Sequence, residues 1–171
     1  MPYYRRAAVP GGTYFFTVVT AHRQPILINS DIRSALREGI SQVRQTLPFR
    51  IDGWVLLPDH LHAIWTLPEG DADFSTRWQL IKRHVTRSCG PAYRRPEYLN
   101  ERLLSKGCGT LWQPRFWEHL IRDERDLRQH LDYLHGEFAA LWPKRRLDQG
   151  KNTVALLKVA GNLGGAPRVD R

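Results

Sequence analysis

Arg50-Ile51-Asp52-Gly53-Trp54-Val55-Leu56-Leu57-Pro58-Asp59-His60-Leu61-His62-Ala63-Ile64-Trp65-Thr66-Leu67 is the stretch that decides the fold. Two runs rich in apolar, aromatic and β-branched residues flank Pro58-Asp59. Such runs read as strands and the Pro-Asp break as a tight turn, so the stretch predicts an antiparallel hairpin over 50–57 and 60–67. On the second strand His60 and His62 stand at i and i+2. They point to one face, with Cα atoms roughly 6.5 to 7 Å apart, while Leu61 points to the core. Two imidazoles side by side can chelate one divalent ion. The plain alternative is a pair of surface histidines. Two donors also leave a coordination shell short, so a metal site needs a third protein ligand from elsewhere in the fold.

Upstream, Pro10-Gly11-Gly12 signals a turn and 13–20 (TYFFTVVT) reads as a strand. Ser30 is a plausible N-cap for a helix over about 31–46, with Ile32, Ala35, Leu36, Ile40, Val43 and Leu47 at helical spacing and Pro48 as its stop. Downstream, Phe74, Trp78, Ile81, Val85 and Cys89 make the apolar stripe of a second helix over about 74–88, with Arg83 and Arg87 on its opposite face. Residues 91–109 lack a period and read as a basic loop. Residues 112–121 (WQPRFWEHLI) read as an extended segment and a fourth strand. Asp123 opens a third helix with Leu127, Leu131, Leu134, Phe138 and Leu141 as its seam. The order of elements predicts an α+β, ferredoxin-like split βαβ fold, with a mostly antiparallel sheet of four to five strands and helices on one face. The domain is expected over 1–143. Residues 144–171 shift to Lys, Arg, Gly, Asn and Asp and read as a weakly ordered tail.

On the third helix Asp126, His130, Tyr133 and Glu137 fall on one stripe beside the leucine seam, taking about 100° per residue. Such a stripe next to a His-x-His strand would place a phenol near a metal. A boundary tyrosine with a wet hydroxyl and a solvated glutamate are the alternatives.

Composition bounds the function. The chain has 171 residues, 26 Lys plus Arg against 17 Asp plus Glu, and a net charge of +9. No apolar run approaches the ~18 residues of a membrane span, and the start lacks a secretory core. Two cysteines, Cys89 and Cys108, exclude a disulfide framework. An intracellular, reduced protein is expected. Basic residues interleave with aromatics (Tyr3-Tyr4-Arg5-Arg6, Arg77-Trp78, Lys82-Arg83, Tyr93-Arg94-Arg95, Arg115-Phe116-Trp117). Positive charge reads phosphate and aromatic faces stack on unpaired bases, so the mixture suits single-stranded nucleic acid. Arg5, Arg6, Arg77, Lys82, Arg83, Arg87, Arg94, Arg95 and Arg115 are the candidate contacts. Trp54, Trp65, Trp78 and Phe116 read as core. A ferredoxin-like RNA-binding module is disfavoured, because no Gly-aromatic run stands on a central strand.

Several ordered motifs resemble the REP-associated tyrosine transposases, which are HUH (histidine–hydrophobic–histidine) endonucleases with a single tyrosine. They are Tyr4-Arg5-Arg6 with Pro10 to Thr17, Trp54 to His62, Trp65 to Gly70, Phe74 to Trp78, Trp112 to His119, and Asp132-Tyr133-Leu134-His135. The resemblance covers about residues 3–135. It implies that His60 and His62 hold Mg²⁺ or Mn²⁺ and that Tyr133 is the nucleophile, leaving a 5′-phosphotyrosine and a free 3′-hydroxyl. The implied substrate is a single-stranded DNA hairpin flanked by a guide tetranucleotide, which Arg5 and Arg6 would read. The implied setting is the bacterial cytoplasm at the nucleoid, with the protein a monomer or homodimer. The family's third metal ligand lies four residues after the tyrosine, usually as Asn or Gln. Here that position is Glu137, a hard oxygen donor that suits either ion. From Gly136 onward the chain departs from the family, and Gly136 could end the helix and misplace Glu137. A hairpin-binding relic without catalysis is therefore the alternative to a nickase and strand transferase.

Overall fold

The computed structural model describes residues 8–99, 101 and 109–141, with the backbone alone for 138–141. Four strands form one antiparallel sheet: β1 Thr13–Val19, β2 Arg50–Leu56, β3 His60–Thr66 and β4 Trp117–Leu120, in the order β2-β3-β1-β4. The helices are α1 Ser30–Thr46, α2 Phe74–Tyr93 and α3 Glu124–Leu141. The expected hairpin is present, with Leu56 opposite Leu61 and Val55 opposite His62. Arg5, Arg6 and the tail from 144 lie outside the described residues.

Strand alternation gives the sheet two faces. On one, Tyr14, Phe16, Val18, Trp54, Leu61, Ala63 and Trp65 meet Ile32, Leu36 and Val43 of α1 and Phe74, Trp78, Ile81 and Val85 of α2. Trp65 and Trp78 stack there with centroids 4.1 Å apart. On the other, Phe15, Val55, Leu57 and Ile64 pack with Leu134, and Leu127 and Leu131 lie beside them. The first two helices thus share one face, as the split βαβ plan has it, and α3 takes the opposite one. The physical reason is in β1, whose consecutive Tyr14-Phe15-Phe16 buries rings on both sides and needs a cover on each.

Two devices seat α3. The Asp123 carboxylate accepts from the Asp126 amide at 2.8 Å and caps the helix start. On β2 the register shifts between Ile51 and Gly53. A Cβ at Gly53 would lie 2.8 Å from Leu134 Cδ1 and 3.2 Å from Leu131 Cδ2, so the missing side chain is what lets the helix approach. Helix α3 runs on through Gly136, and Glu137 stays on it. Two boundaries differ from expectation. Strand β4 begins at Trp117, because Pro114 lacks an N–H for the ladder; before it Trp112 makes only an isolated bridge to Thr20. Helix α2 continues past Pro91, whose exposed position near the C-terminal end costs it one hydrogen bond.

Candidate active site

The alternation that buries Leu61 and Ala63 turns His60 and His62 toward the α3 face, with rings 4.9 Å apart. His60 Nδ1 is 2.6 Å from Asp59 Oδ1, and Asp59 also receives Arg23 at 3.0 Å. Burial pushes the Asp59 carboxyl up, but the hydrogen bonds from His60 and Arg23 outweigh it and hold it below the ordinary range. With Nδ1–H donating to that carboxylate, His60 Nε2 carries the free lone pair. His62 is buried, its Nδ1 lies 2.9 Å from the Thr17 hydroxyl, and its Nε2 has no hydrogen-bond partner among the described residues. Burial first, and the neighbouring His60 second, lower its pKa to about 4, so the ring is neutral at pH 7. A buried, neutral, unpartnered imidazole nitrogen beside a carboxylate-oriented one fits a divalent cation.

Tyr133 is 47% exposed, with its ring 5.3 Å from that of His62 and 6.0 Å from Phe15. Its hydroxyl hydrogen-bonds to Glu137, one turn on; burial and then this carboxylate raise the phenol's pKa. Phe15, Thr17, His62, Trp117, Gln129, His130 and Tyr133 line a cleft of about 400 Å³. A larger groove of about 570 Å³ lies between α1 and β2 on the opposite face, and no candidate residue lines it.

The predicted stripe Asp126, His130, Tyr133, Glu137 does face the sheet, but it divides. Glu137 meets the phenol, and the set His60, His62, Glu137 does not close into one tight group. The group that does, among the described residues, is His119, Asp126 and His130, with ligand atoms within 4.8 Å of one another. Asp126 accepts from His119 Nε2 at 2.9 Å, His130 Nδ1 at 3.1 Å and the Arg122 amide at 3.0 Å. His130 Nδ1 also points at the Asp126 carbonyl at 2.9 Å, which marks it as N–H and the cluster as a hydrogen-bonded tie between β4 and α3. Burial raises the Asp126 carboxyl, but these donors overcome it and leave its pKa lowered. Sequence reasoning missed His119 as a site residue. Its signal was the i+2 spacing from Trp117, which puts it on the same face as Trp117 and as Phe15, its cross-strand partner.

The basic candidates scatter. Arg77 is a correction: it is fully buried, not a surface contact. Its guanidinium is 2.6 Å from Asp71 and donates to the carbonyls of Asp73, Pro48 and Leu47 at 2.7, 2.9 and 3.2 Å. Lys82 Nζ donates to the Gln113 carbonyl at 2.7 Å. Arg83, Arg87, Arg94, Arg95 and Arg115 are exposed. Arg83 and Arg87 belong to the helical layer behind the sheet, away from Tyr133, and line a pocket with Gly39 and His84.

No protein-family model matches the chain. Individual proteins do, and the class they define is transposases. A REP-associated tyrosine transposase of Escherichia coli K12 is 44% identical over 135 residues, covering 79% of this chain and 71% of that protein. A Haemophilus influenzae protein named for the same family is 36% identical over 135 residues, 79% and 74% of the two chains. The solved structure of a REP-associated tyrosine transposase bound to a REP hairpin matches with a TM-score of 0.62 at 45% identity, over 78% of this chain and 70% of that one. A Deinococcus radiodurans structure, 15% identical with a TM-score of 0.50 over 80% and 97% of the chains, shares the fold. The chain belongs to the REP-associated tyrosine transposase family. Among the described residues no helix is long and apolar enough to cross a membrane.

Proposed function

We propose that this protein is a metal-dependent endonuclease and strand transferase that cleaves single-stranded DNA beside REP-type hairpins at the nucleoid, through a 5′-phosphotyrosine at Tyr133. The observation that carries the reading is the approach of the Tyr133 ring to within 5.3 Å of His62, whose Nε2 is buried and unpartnered. His60 and His62 would hold Mg²⁺ or Mn²⁺ through Nε2. The chemistry supplied there is Lewis-acid polarisation of the scissile phosphodiester. Tyr133 Oη attacks phosphorus in line, the P–O3′ bond breaks, and the 3′-oxygen takes a proton from solvent water and leaves as a hydroxyl, balancing the proton the phenol gives up. Glu137, already hydrogen-bonded to Oη, takes the phenol's proton in place of the ligand role expected from the sequence. That acceptor is needed because burial and the carboxylate both disfavour a free phenolate. The phosphodiester energy survives in the tyrosyl ester, so a 3′-hydroxyl can attack it and rejoin DNA without ATP. Arg115, Arg94 and Arg95 offer exposed charge for the hairpin's phosphates; Arg5 and Arg6, outside the described residues, would read the guide tetranucleotide.

The test is incubation of the full chain with hairpin oligonucleotides carrying single-stranded flanks and Mg²⁺ or Mn²⁺. A denaturant-resistant protein–DNA adduct with the wild type, absent with Tyr133→Phe, is expected. An adduct that survives Tyr133→Phe, or tight hairpin binding without any adduct, overturns the catalytic reading.

A further inference from the structure

Among the described residues Trp117 is the tryptophan that packing does not consume. Trp54, Trp65, Trp78 and Trp112 are at most 9% exposed, whereas Trp117 is 52% exposed. It stands on β4, an edge strand, and faces the side of the sheet that carries Tyr133. One flank of its indole is held: it meets Phe15 edge-on at 5.9 Å and lies nearly parallel to His119 at 6.0 Å, at 6° between planes. His119 is in turn fixed by Asp126. The indole is therefore a supported, pre-set ring with its remaining surface open to the cleft. Phe15 lies between it and the phenol, 5.9 Å from one ring and 6.0 Å from the other. Among the described residues that line the cleft none is a carboxylate, Glu137 reaching only the Tyr133 hydroxyl, and Arg115 is exposed two residues before Trp117. An open aromatic face, a described lining without carboxylates and adjacent positive charge fit an unpaired nucleobase with its phosphate.

We propose that Trp117 is the platform on which one unpaired base next to the scissile phosphate stacks, so that the strand enters the cleft with that phosphate directed at Tyr133. This rests on the proposed function for its substrate, but it concerns binding and is read without cleavage. The experiment compares full-length Tyr133→Phe with Tyr133→Phe/Trp117→Ala on a hairpin oligonucleotide whose flank nucleotides are made abasic one at a time, at fixed salt. Trp117→Ala is expected to weaken binding of the intact flank about tenfold, the scale of one base–aromatic stack. One abasic position is expected to cost the Trp117 chain about tenfold and the Trp117→Ala chain nothing further. Trp117→Phe is expected to retain binding and Trp117→Leu to lose it, which separates stacking from bulk. Equal abasic penalties in both chains, or rescue by leucine as good as by phenylalanine, overturn the platform and leave the catalytic reading intact. A Tyr133→Phe chain that prefers no hairpin over scrambled DNA overturns both.

Discussion

Gly53→Ala probes how the tyrosine-bearing helix is seated. The added Cβ would lie 2.8 Å from Leu134 Cδ1 and 3.2 Å from Leu131 Cδ2, against an ordinary carbon contact of about 3.5–4.0 Å. Leu134 must therefore withdraw by roughly 1 Å. Both atoms are leucine tips, which softens the clash, but Leu134 is fully buried among Phe15, Val55, Leu57 and Ile64 and has little room to turn. Overpacking costs ~1–3 kcal/mol, with the low end expected for flexible tips. The loss of glycine's freedom in the unfolded chain returns about 0.4–1 kcal/mol. The net expectation is a destabilisation of about 1 kcal/mol. Leu134→Ala alone removes a buried leucine and should cost about 3 kcal/mol. In the double variant the new methyl enters the space the leucine leaves, so the two costs should fall short of their sum by about 1 kcal/mol. Urea denaturation of the full-length chain, followed by far-ultraviolet circular dichroism with the slope checked for constancy, measures all three. Additivity within about 0.3 kcal/mol would mean that Gly53 does not govern the approach of α3. A Gly53→Ala chain more stable than the wild type would mean the same.

Arg77→Ala is expected to cost about 3–5 kcal/mol in the same assay, because it strands Asp71 and three backbone carbonyls. The Arg77 hydrogen bonds chiefly hold the Asp71 pKa below its ordinary 3.8, so this pair's stabilisation is whole above that value and is lost as pH falls through the lower folded one. Asp71→Asn should accordingly lower stability at pH 7 and flatten the acid limb below about pH 4, read from urea midpoints across pH. Asp126→Asn is expected to cost about 1–3 kcal/mol by weakening the tie to His119 and His130, and to slow adduct formation more than it weakens hairpin binding. Chelation with EDTA should stop adduct formation, with Mn²⁺ or Mg²⁺ restoring it in the wild type and not in His62→Ala. Arg115→Ala should weaken hairpin binding uniformly across sequences and reduce the slope of log affinity against log salt by about 1, measured by titration at several salt concentrations.

What the sequence made legible follows periodicity. His60 and His62 share a face because strands alternate, and Tyr133 and Glu137 share one because helices repeat, so both halves of the site could be placed from spacing alone. What it did not show depended on partners distant in the chain. Arg77 is instructive, since it stands three residues after Phe74 and four before Ile81. The periodicity that buries those two puts the guanidinium inside as well, but its charge pointed to a surface role until Asp71 supplied the counter-ion. The placement of α3 was readable in principle from the three consecutive rings of β1, which no one-sided sheet can cover. The tie between His119 and Asp126 crosses from strand to helix, and no local spacing rule joins them.

The same contrast decides where the proposed chemistry is vulnerable. The histidine pair sits on β3, an inner strand hydrogen-bonded on both sides, over the larger of the two cores. Tyr133 and Glu137 ride on a helix held by a smaller cluster, by one glycine's worth of space and by one carboxylate between two imidazoles. Changes near Gly53, Leu134 or Asp126 should therefore reach the proposed reaction by displacing Tyr133, its proposed nucleophile, from the strand-borne histidines while leaving those histidines in place. Departure from the family pattern after His135 does not by itself undo that arrangement. Helix α3 passes through Gly136 without ending, a Cβ there would meet nothing within 4 Å, and Glu137 still reaches the phenol. Gly136→Ala is then free of steric cost and should stabilise the helix by about 1 kcal/mol in urea denaturation. If it instead destabilises the chain while the fold is kept, the helix does not continue there, and the contact between Glu137 and Tyr133 on which the proposed proton transfer rests is lost with it.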